Sequence, residues 1–371
     1  MIERLAVEGP YRGASGYDRV TREFVRQFVA LGVDVHLQDL DAWSSPMPDE
    51  MREPWLDDLT TFNGAETVLH FVMPSHLRPR PGARNVNYTM FEANRIPADW
   101  AARARLCELV AVPTRASRDA WIASGVDSAR VRVSPLGVDG EFFSQRCEPP
   151  SIGLGDGRAV ADFGTRFLHV GELRPRKNQL GLVRAWLRAT VRDDDAVLII
   201  KCPALQHMVD QFLGDIAATQ RDLGLALEDA APIVLMPALL SERQLLGLYA
   251  AATHYISMSC GEGWDQVTME AAVAGLHLVV PRHTAYLEYL HEGDAEFIPT
   301  ALVPAEFLGR TGAEDRVFFE GSCWWRPDEE AAADIIRGAI DGRRAGQPPP
   351  SARLASTYTW EAAARQLLEL L

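Results

Sequence analysis

The chain has 371 residues, of which 47% are hydrophobic, and a formal net charge of −14 at pH 7. This length exceeds what one hydrophobic core usually serves, so we expect two domains. The acidic balance argues against nucleic acid and anionic membranes as main partners. No apolar run reaches the ~18 residues of a transmembrane helix, and five scattered cysteines favour reduced thiols, so we expect a soluble cytoplasmic protein.

Short apolar runs of strand type alternate with longer segments of helical period, which predicts parallel βαβ units. A segment rich in proline and glycine at 144–160 separates two such series. Each series predicts one doubly wound α/β domain. The predicted strands are 5–7, 33–37, 67–72, 86–88, 109–113, 131–135, 167–171, 196–201, 233–236, 254–257 and 278–281, and the predicted helices are 15–31, 98–107, 116–124, 179–191, 206–223, 242–251 and 360–371.

A glycine-rich turn follows the first predicted strand, with Gly13 and Gly16 on either side of Ala14 and Ser15. Small residues there allow a ligand to approach the backbone closely, so Gly16 is a candidate ligand contact. The turn lacks the full Gly-x-Gly-x-x-Gly spacing, which counts against a dinucleotide-binding dehydrogenase. A purely structural βα turn remains an open alternative.

A basic segment, Arg174-Pro175-Arg176-Lys177, follows the predicted strand 167–171 and leads into the next helix. Lys177 and Lys201 are the only lysines of the chain. An ammonium retained among many arginines favours a contact with phosphate, which lysine makes as a point charge. A solvated basic turn is the alternative for Lys177, and a structural role is equally open for Lys201.

Two glutamates, Glu262 and Glu270, lie eight residues apart at the ends of a turn that leads into a predicted helix. Gly263 allows the chain to turn tightly, and the amides of a helix N-terminus favour anions such as diphosphate. A carboxylate accepts paired hydroxyl groups well, so Glu270 is suited to a ribose, with Glu262 nearer a transferred sugar. The alternative is an amphipathic helix capped by glutamate.

The stretches 257–265 and 269–275, Ser-Met-Ser-Cys-Gly-Glu-Gly-Trp-Asp and Met-Glu-Ala-Ala-Val-Ala-Gly, resemble the donor-site signature of retaining glycosyltransferases of family 4. The resemblance extends upstream to 171–178 and to Pro-Leu-Gly-Val-Asp at 135–139. It implies the GT-B fold, with two Rossmann-like doubly wound domains facing across a cleft. The implied domains are an acceptor-side domain at 1–145, a nucleotide-sugar-binding domain at 146–350, and a final helix at 351–371 that packs back toward the first domain.

The resemblance also implies roles for individual residues. Lys177 and Arg176 would stabilise the leaving diphosphate, and Glu270 would bind the ribose. Glu262 would orient the donor sugar or support developing positive charge, and Glu92, which follows the predicted strand 86–88, would line the reacting face unless it is merely solvated. The backbone amides of the helix start would contact the sugar and phosphates, and they belong to Trp264, Asp265, Gln266 and Val267.

The chain departs from the family pattern at two positions. Glu172 stands where relatives usually have an arginine, so the charge role must pass to Arg174 or Arg176, and we favour Arg176. Asp265 stands where relatives often have glycine, which leaves the donor sugar undetermined.

We therefore expect a retaining, metal-independent glycosyltransferase that moves a hexosyl group from a nucleoside-diphosphate sugar to a glycan, lipid-linked glycan or small natural product. No cofactor or metal is implied, and the Asp193-Asp194-Asp195 run reads as a polar surface turn. A sugar-nucleotide epimerase of the same fold would turn over donor without acceptor. A non-catalytic sugar-nucleotide-binding subunit would bind donor without turnover.

Overall fold

The structure is a computed structural model that describes residues 2–40, 43, 47–305, 316–343 and 350–371. It divides into two compact units. The first comprises residues up to Val138 together with Thr357–Leu371, and the second comprises Asp139–Ser356. Among the helices in the described ranges, none combines the length and the apolar character that crossing a bilayer requires.

The first unit is built on a parallel sheet of six strands within the described residues, in the order β2-β1-β3-β4-β5-β6. The strands are β1 (Arg4–Glu8), β2 (Asp34–Gln38), β3 (Thr67–Phe71), β4 (Arg84–Tyr88), β5 (Leu109–Val112) and β6 (Val131–Val133), and the first helices are α1 (Gly16–Ala30), α2 (Ala98–Arg103) and α3 (Arg115–Ala123).

The core of this unit forms around Phe24, on the apolar face of α1. Its ring stacks on Phe71 of β3 with centroids 5.1 Å apart, and Trp360 makes an edge contact at 5.6 Å. All three side chains are buried. Complete burial of one such ring stabilises the fold by about 1.5–3 kcal/mol, so these contacts tie α1 firmly to the sheet.

The second unit contains another parallel sheet of six strands in the described part of the chain, in the order β12-β11-β10-β7-β8-β9, and an antiparallel pair of strands, β13-β14. The strands are β7 (Thr165–Val170), β8 (Ala196–Lys201), β9 (Ile233–Met236), β10 (His254–Ile256), β11 (His277–Pro281), β12 (Glu296–Ile298), β13 (Thr300–Pro304) and β14 (Cys323–Pro327), and the helices are α4 (Gly140–Phe143), α5 (Gln179–Ala189), α6 (Gln206–Leu223), α7 (Glu242–Ala251), α8 (Gln266–Val273), α9 (Tyr286–Tyr289), α10 (Arg316–Phe319), α11 (Glu329–Ile340) and α12 (Ser351–Thr357).

The predicted α/β class and the two doubly wound sheets are confirmed. Every predicted strand is present, with small differences at the ends, and the structure adds β12 and the antiparallel pair β13-β14. The predicted helix at 98–107 is shorter, because α2 ends at Arg103 and the chain continues as a 3₁₀ turn. Short strands such as β12 carry too few alternating residues to be recognised from periodicity.

The last helix, α13 (Trp360–Leu370), belongs to the first unit. Gly137 permits this contact, because a Cβ atom there would lie 2.3 Å from the backbone nitrogen of Trp360. The amide of Val138 also donates to the carbonyl of Tyr358 at 2.7 Å. Gly140 instead packs against Ala355 of the second unit, so the division falls after Val138 and not after residue 145.

Candidate active site

The basic segment follows β7 at the carboxyl edge of the second sheet. A 3₁₀ turn at Pro175–Lys177 leads to Asn178, which begins α5 in a left-handed conformation with φ of 54°. The Asn178 side-chain oxygen accepts the amide of Gly181 at 3.2 Å. Asparagine accepts a left-handed backbone and caps a helix better than most residues do. Asn178 therefore fixes where α5 begins and holds Lys177 directly before that helix.

Two cations of this segment converge on one carboxylate. Lys177 Nζ lies 2.6 Å from Glu262 Oε1, and Arg176 Nη1 lies 3.0 Å from Glu262 Oε2. Asp265 Oδ1 is also close to the ammonium, at 3.5 Å. The side chains of Glu262 and Asp265 are only 5% and 3% exposed, so these interactions are little screened by water. The structure thus brings four of the predicted residues into one buried cluster.

The two carboxyl groups have opposite protonation tendencies. Burial raises the pKa of Glu262, but the positive charges of Arg176 and Lys177 outweigh burial and lower this pKa to about 2. Burial and the negative charge of Glu262 raise the pKa of Asp265. Burial lowers the pKa of Lys177, whereas Glu262 and Asp265 raise it above its usual value overall. Glu262 and Lys177 are therefore held charged, and Asp265 is the carboxyl group that accepts a proton most readily.

Arg176, and not Arg174, lies in this cluster. Arg174 Nε instead lies 3.6 Å from Glu172 Oε2, and both side chains are substantially exposed. Exposed pairs of this kind contribute little to stability. The structure therefore brings Arg176, and not Arg174, to Glu262, and the charge role of Arg176 stays a prediction.

The loop that carries Glu262 is held from behind by His283 and Thr284. His283 Nε2 donates to the carbonyl of Ser259 at 2.7 Å, and the Thr284 hydroxyl donates to His283 Nδ1 at 2.7 Å. The Thr284 oxygen in turn accepts the amide of Glu262 at 3.2 Å. Burial lowers the pKa of His283 to about 4, so a neutral ring supports this network at physiological pH.

Asp265 begins α8 in a left-handed conformation with φ of 61°. Its Oδ2 atom accepts hydrogen bonds from the Thr268 hydroxyl at 2.5 Å and the Tyr286 hydroxyl at 2.8 Å. The Ser257 hydroxyl is 2.8 Å from that of Tyr286 and donates to it. Position 265 thus demands a residue that accepts a positive φ, which glycine does freely and aspartate does with a small penalty.

The start of α8 supplies the backbone amides that were predicted to contact the donor. Gln266 and Val267 are half-buried and form its first turn, so their backbone amides lie at the helix N-terminus. The side chain of Trp264 packs inside the unit, because it is buried and its ring lies against Tyr289 with centroids 5.3 Å apart. Only the backbone of Trp264 is therefore suited to a ligand contact.

Glu270 lies on α8 with its side chain buried, and the Tyr249 hydroxyl of α7 donates to its Oε2 atom at 3.1 Å. Lys201, the last residue of β8, is near enough for Glu270 to influence its pKa, which burial lowers. Both lysines of the chain therefore lie at the carboxyl edge of the second sheet. The sequence left the role of Lys201 open, and its burial at a strand end is visible only in the fold.

A cavity of about 640 Å³ lies along the same helix as Tyr249. It opens between the segment that follows α4, the end of β9 and α7. Gly247 faces this segment, and a Cβ atom there would make an ordinary contact with Pro150 Cδ at 3.4 Å. The lining residues are Arg146, Cys147, Glu148, Pro150, Met236, Leu240, Arg243, Gln244, Gly247 and Leu248.

In the first unit, Gly16 and Glu92 both lie near Tyr17. Gly16 is the first residue of α1, and the preceding turn is folded around Asp18, whose carboxylate accepts the Gly13 amide at 2.7 Å. The Tyr17 hydroxyl lies 3.0 Å from Oγ1 of Thr89, the residue that follows β4. Burial raises the pKa of Tyr17, and the charge of Glu92 adds to this effect. The sequence did not single out Tyr17 as the residue that links these two positions.

Among the described residues, no group of three or more histidine, cysteine, aspartate or glutamate side chains is arranged to hold a metal ion. The aspartate run has structural partners instead. Asp194 pairs with Arg337 at 2.8 Å, and Asp195 accepts the amide of Gly164 at 2.7 Å. These contacts agree with its interpretation as a surface turn.

Comparison with known proteins leads to solved structures that are similar in fold. No model of a protein family matches the sequence, and no curated protein matches it. HepE from Anabaena, in complex with UDP-glucose, matches with a TM-score of 0.66 at 13% identity over 99% of this chain and 98% of that one. Sucrose-phosphate synthase from Thermosynechococcus elongatus matches with a TM-score of 0.66 at 15% identity over 99% of this chain and 98% of that one. A glycosyltransferase from Rickettsia africae matches with a TM-score of 0.59 at 13% identity over 100% of this chain and 97% of that one. The chain therefore has the GT-B fold.

Proposed function

We propose that the protein is a retaining glycosyltransferase that transfers a hexosyl group from a nucleoside-diphosphate sugar without a metal ion. The observation that carries this proposal is the buried cluster of Arg176, Lys177 and Glu262 beside the start of α8. The similar fold of HepE, which binds UDP-glucose, supports the choice of donor class. Family 4 is the family whose signature the site resembles.

The leaving diphosphate would bind to Lys177, Arg176 and the first amides of α8. An ammonium has three N–H donors, so Lys177 can hold Glu262 and a phosphate oxygen at the same time. Each charge-assisted hydrogen bond contributes about 1.5–3 kcal/mol. Two such cations and a helix N-terminus together offset the charge that develops on the diphosphate, which is the task a metal ion performs in other transferases.

During transfer, the bond between the anomeric carbon and the phosphate oxygen breaks, and an acceptor hydroxyl attacks the same face of the sugar. The departing phosphate oxygen takes the proton of that hydroxyl. Glu262 remains ionised because its pKa is lowered, so it can support positive charge on the sugar ring and hold Arg176 and Lys177 in position. Glu92 is proposed to line the reacting face from the first unit.

The nucleoside would bind toward α7. Glu270 would accept the ribose hydroxyls, next to Tyr249. The base would extend along α7 into the cavity lined by Leu248 and Met236. The lining combines apolar side chains with the polar side chains of Arg243 and Gln244, which suits a flat heterocycle with polar edges.

A donor screen tests the proposal. UDP-, GDP- and dTDP-sugars are incubated with the protein and EDTA, without acceptor, and released nucleoside diphosphate is measured. We expect slow hydrolysis of one donor class. Because a freed sugar mutarotates, retention is read by proton NMR of the methyl glycoside that forms when methanol serves as the acceptor, which should keep the anomeric configuration of the donor. Accumulation of an epimerised donor would identify an epimerase instead. Tight donor binding with no hydrolysis and no transfer to any acceptor would identify a binding subunit.

A further inference from the structure

An aromatic side chain connects the glycine-rich turn of the first unit to a basic surface. Trp43 is half-buried, and its ring makes edge contacts with Tyr17 at 5.5 Å and with His76 at 4.8 Å. Its Nε1 atom donates to the hydroxyl of Ser15, directly before α1, at 3.4 Å. Tyr17 also interacts with Glu92, so Trp43 lies one aromatic contact away from the proposed reacting face.

The surface beyond Trp43 is positively charged in an otherwise acidic chain. Arg78 follows His76 by two residues, and Arg103 ends α2, which packs against the turn Pro74–His76. Partial burial lowers the pKa of His76, and the positive charges of Arg78 and Arg103 lower it further. Residues 76–105 contain six arginines against Glu92 and Asp99, and of these arginines Arg84 pairs with Glu108 at 3.1 Å.

Carboxylates do not neutralise this surface in the described structure. Asp99 is 4.0 Å from Arg103, at the limit of an ion pair, and its side chain is 63% exposed. Arg78 is exposed and has no carboxylate within 4.0 Å among the described residues. Cations gathered in this way repel one another unless an anion binds between them, and guanidinium groups match the geometry of phosphate and carboxylate.

On the strength of the proposed glycosyltransferase function, we infer that Trp43, His76, Arg78 and Arg103 form the acceptor subsite and that the acceptor is an anionic saccharide. The ring of Trp43 offers an apolar face for the C–H side of a pyranose. Arg78 and Arg103 would bind a phosphate or carboxylate group on that sugar. The reacting hydroxyl would then point past Trp43 toward Tyr17 and Glu92.

Direct binding without donor tests this inference. The probes are hexose 6-phosphates, hexose 1-phosphates and hexuronates, with the corresponding neutral methyl glycosides, titrated by calorimetry. We expect at least one anionic sugar to bind, with an affinity that falls as salt is added, and the neutral glycosides to bind at least about tenfold more weakly. Equal affinity for charged and neutral sugars would overturn the inference.

Matched variants localise the site. The double variant Arg78→Gln/Arg103→Gln should weaken anionic-sugar binding by about tenfold or more for each guanidinium removed. Arg95→Gln/Arg105→Gln removes the same charge from the same segment and should leave affinity within about twofold. Trp43→Ala should also weaken binding, and Trp43→Phe should restore most of it. Equal loss of affinity in both double variants would mean that only the net charge of the segment matters, and this result would overturn the inference.

Two further measurements distinguish a free sugar from a lipid-borne one, and the acceptor inference from the donor proposal. Phosphatidylcholine vesicles with and without a diacylglycerol that carries a hexuronate head group test whether the anionic sugar is borne on a lipid. Binding that both Arg78→Gln/Arg103→Gln and salt abolish would support the inference with a lipid-borne acceptor. Failure of every free anionic sugar and of these vesicles would overturn it. UDP binding is measured separately with the same double variant, where we expect no change, so failure of the acceptor inference leaves the donor proposal standing.

Discussion

Lys177 and Glu262 form an ion pair of 2.6 Å with side chains only 15% and 5% exposed. Such a pair is costly to break on one side only, because the remaining charge is left buried. The pairing therefore holds the Lys177 ammonium in place before any ligand arrives. A diphosphate that binds there meets a pre-oriented cation and loses little entropy in ordering it.

Replacement of Lys177 by methionine should weaken UDP binding by roughly 10- to 150-fold, since one charge-assisted contact of about 1.5–3 kcal/mol is lost. Methionine keeps the apolar stem packed, and calorimetric titration measures the dissociation constant. Arg174→Gln is the matched control and should bind UDP like the wild type. An unchanged dissociation constant in folded Lys177→Met protein would remove Lys177 from the donor site.

The two glutamates should separate binding from turnover. Glu270→Gln removes the charged acceptor for ribose hydroxyls, so UDP affinity should fall. Glu262→Gln removes a negative charge beside the phosphate cations, so UDP affinity should hold or rise while donor turnover falls about tenfold or more. Steady-state kinetics with calorimetry distinguishes these effects, and equal loss of affinity in both variants would contradict the division.

Gly16 allows a ligand contact to be tested without a folding defect. A Cβ atom at Gly16 would meet nothing within 4 Å, and its φ is not positive, so Gly16→Ala should preserve the free energy of unfolding. Activity should nevertheless fall if a substrate approaches this backbone closely. Gly214→Ala, also without close neighbours, is the control and should retain full activity. Full activity in Gly16→Ala would leave Gly16 as an ordinary turn residue.

Buried neutral histidines should make the protein sensitive to mild acid. The pKa of His283 is lowered from 6.5 to about 4, so between these pH values the unfolded state binds a proton that the folded state excludes. Stability should therefore fall as the pH drops from 6.5 to 4, by at most roughly 3 kcal/mol from this group. His283→Gln should reduce that loss in urea unfolding at pH 7 and pH 5, and an identical loss in both proteins would contradict it.

The last helix should be sensitive to a single methyl group. Gly137→Ala would place a Cβ atom 2.3 Å from the backbone of Trp360, and backbone cannot rotate away as a side chain can. We expect a loss of at least about 2 kcal/mol in the free energy of unfolding. Gly153→Ala, which meets nothing within 4 Å, should be nearly neutral in the same denaturant titration. A stable Gly137→Ala protein would mean that α13 can shift at no cost.

The sequence allowed prediction of what is local and periodic, and of the segments that carry a recognisable signature. The strands of both sheets and the positions of Lys177 and Glu262 belong to this class. The support of Glu262 by His283 and Thr284 could not be predicted, because these residues are about twenty positions away and meet it only through the order of the sheet. The same holds for Trp43, whose partner His76 comes from a different βα loop.

The domain boundary shows a similar limit. A proline- and glycine-rich composition at 144–160 suggested a division after residue 145, but packing of Gly140 on Ala355 assigns the preceding helix to the second unit. Composition reports where a chain can bend, whereas the boundary depends on which surface a helix covers.

The location of both lysines at one sheet edge has a practical consequence for chemical labelling. Apart from the α-amino group, Lys177 and Lys201 are the only amines of the chain. Burial lowers the pKa of Lys201, whereas the neighbouring carboxylates raise that of Lys177, so an acylating reagent meets two amines of unequal nucleophilicity at the same edge. Peptide mass spectrometry can therefore compare the two amines without an assay for turnover. Lys201 should be acylated faster than the protonated Lys177, and a bound nucleoside diphosphate would slow the acylation of Lys177 further.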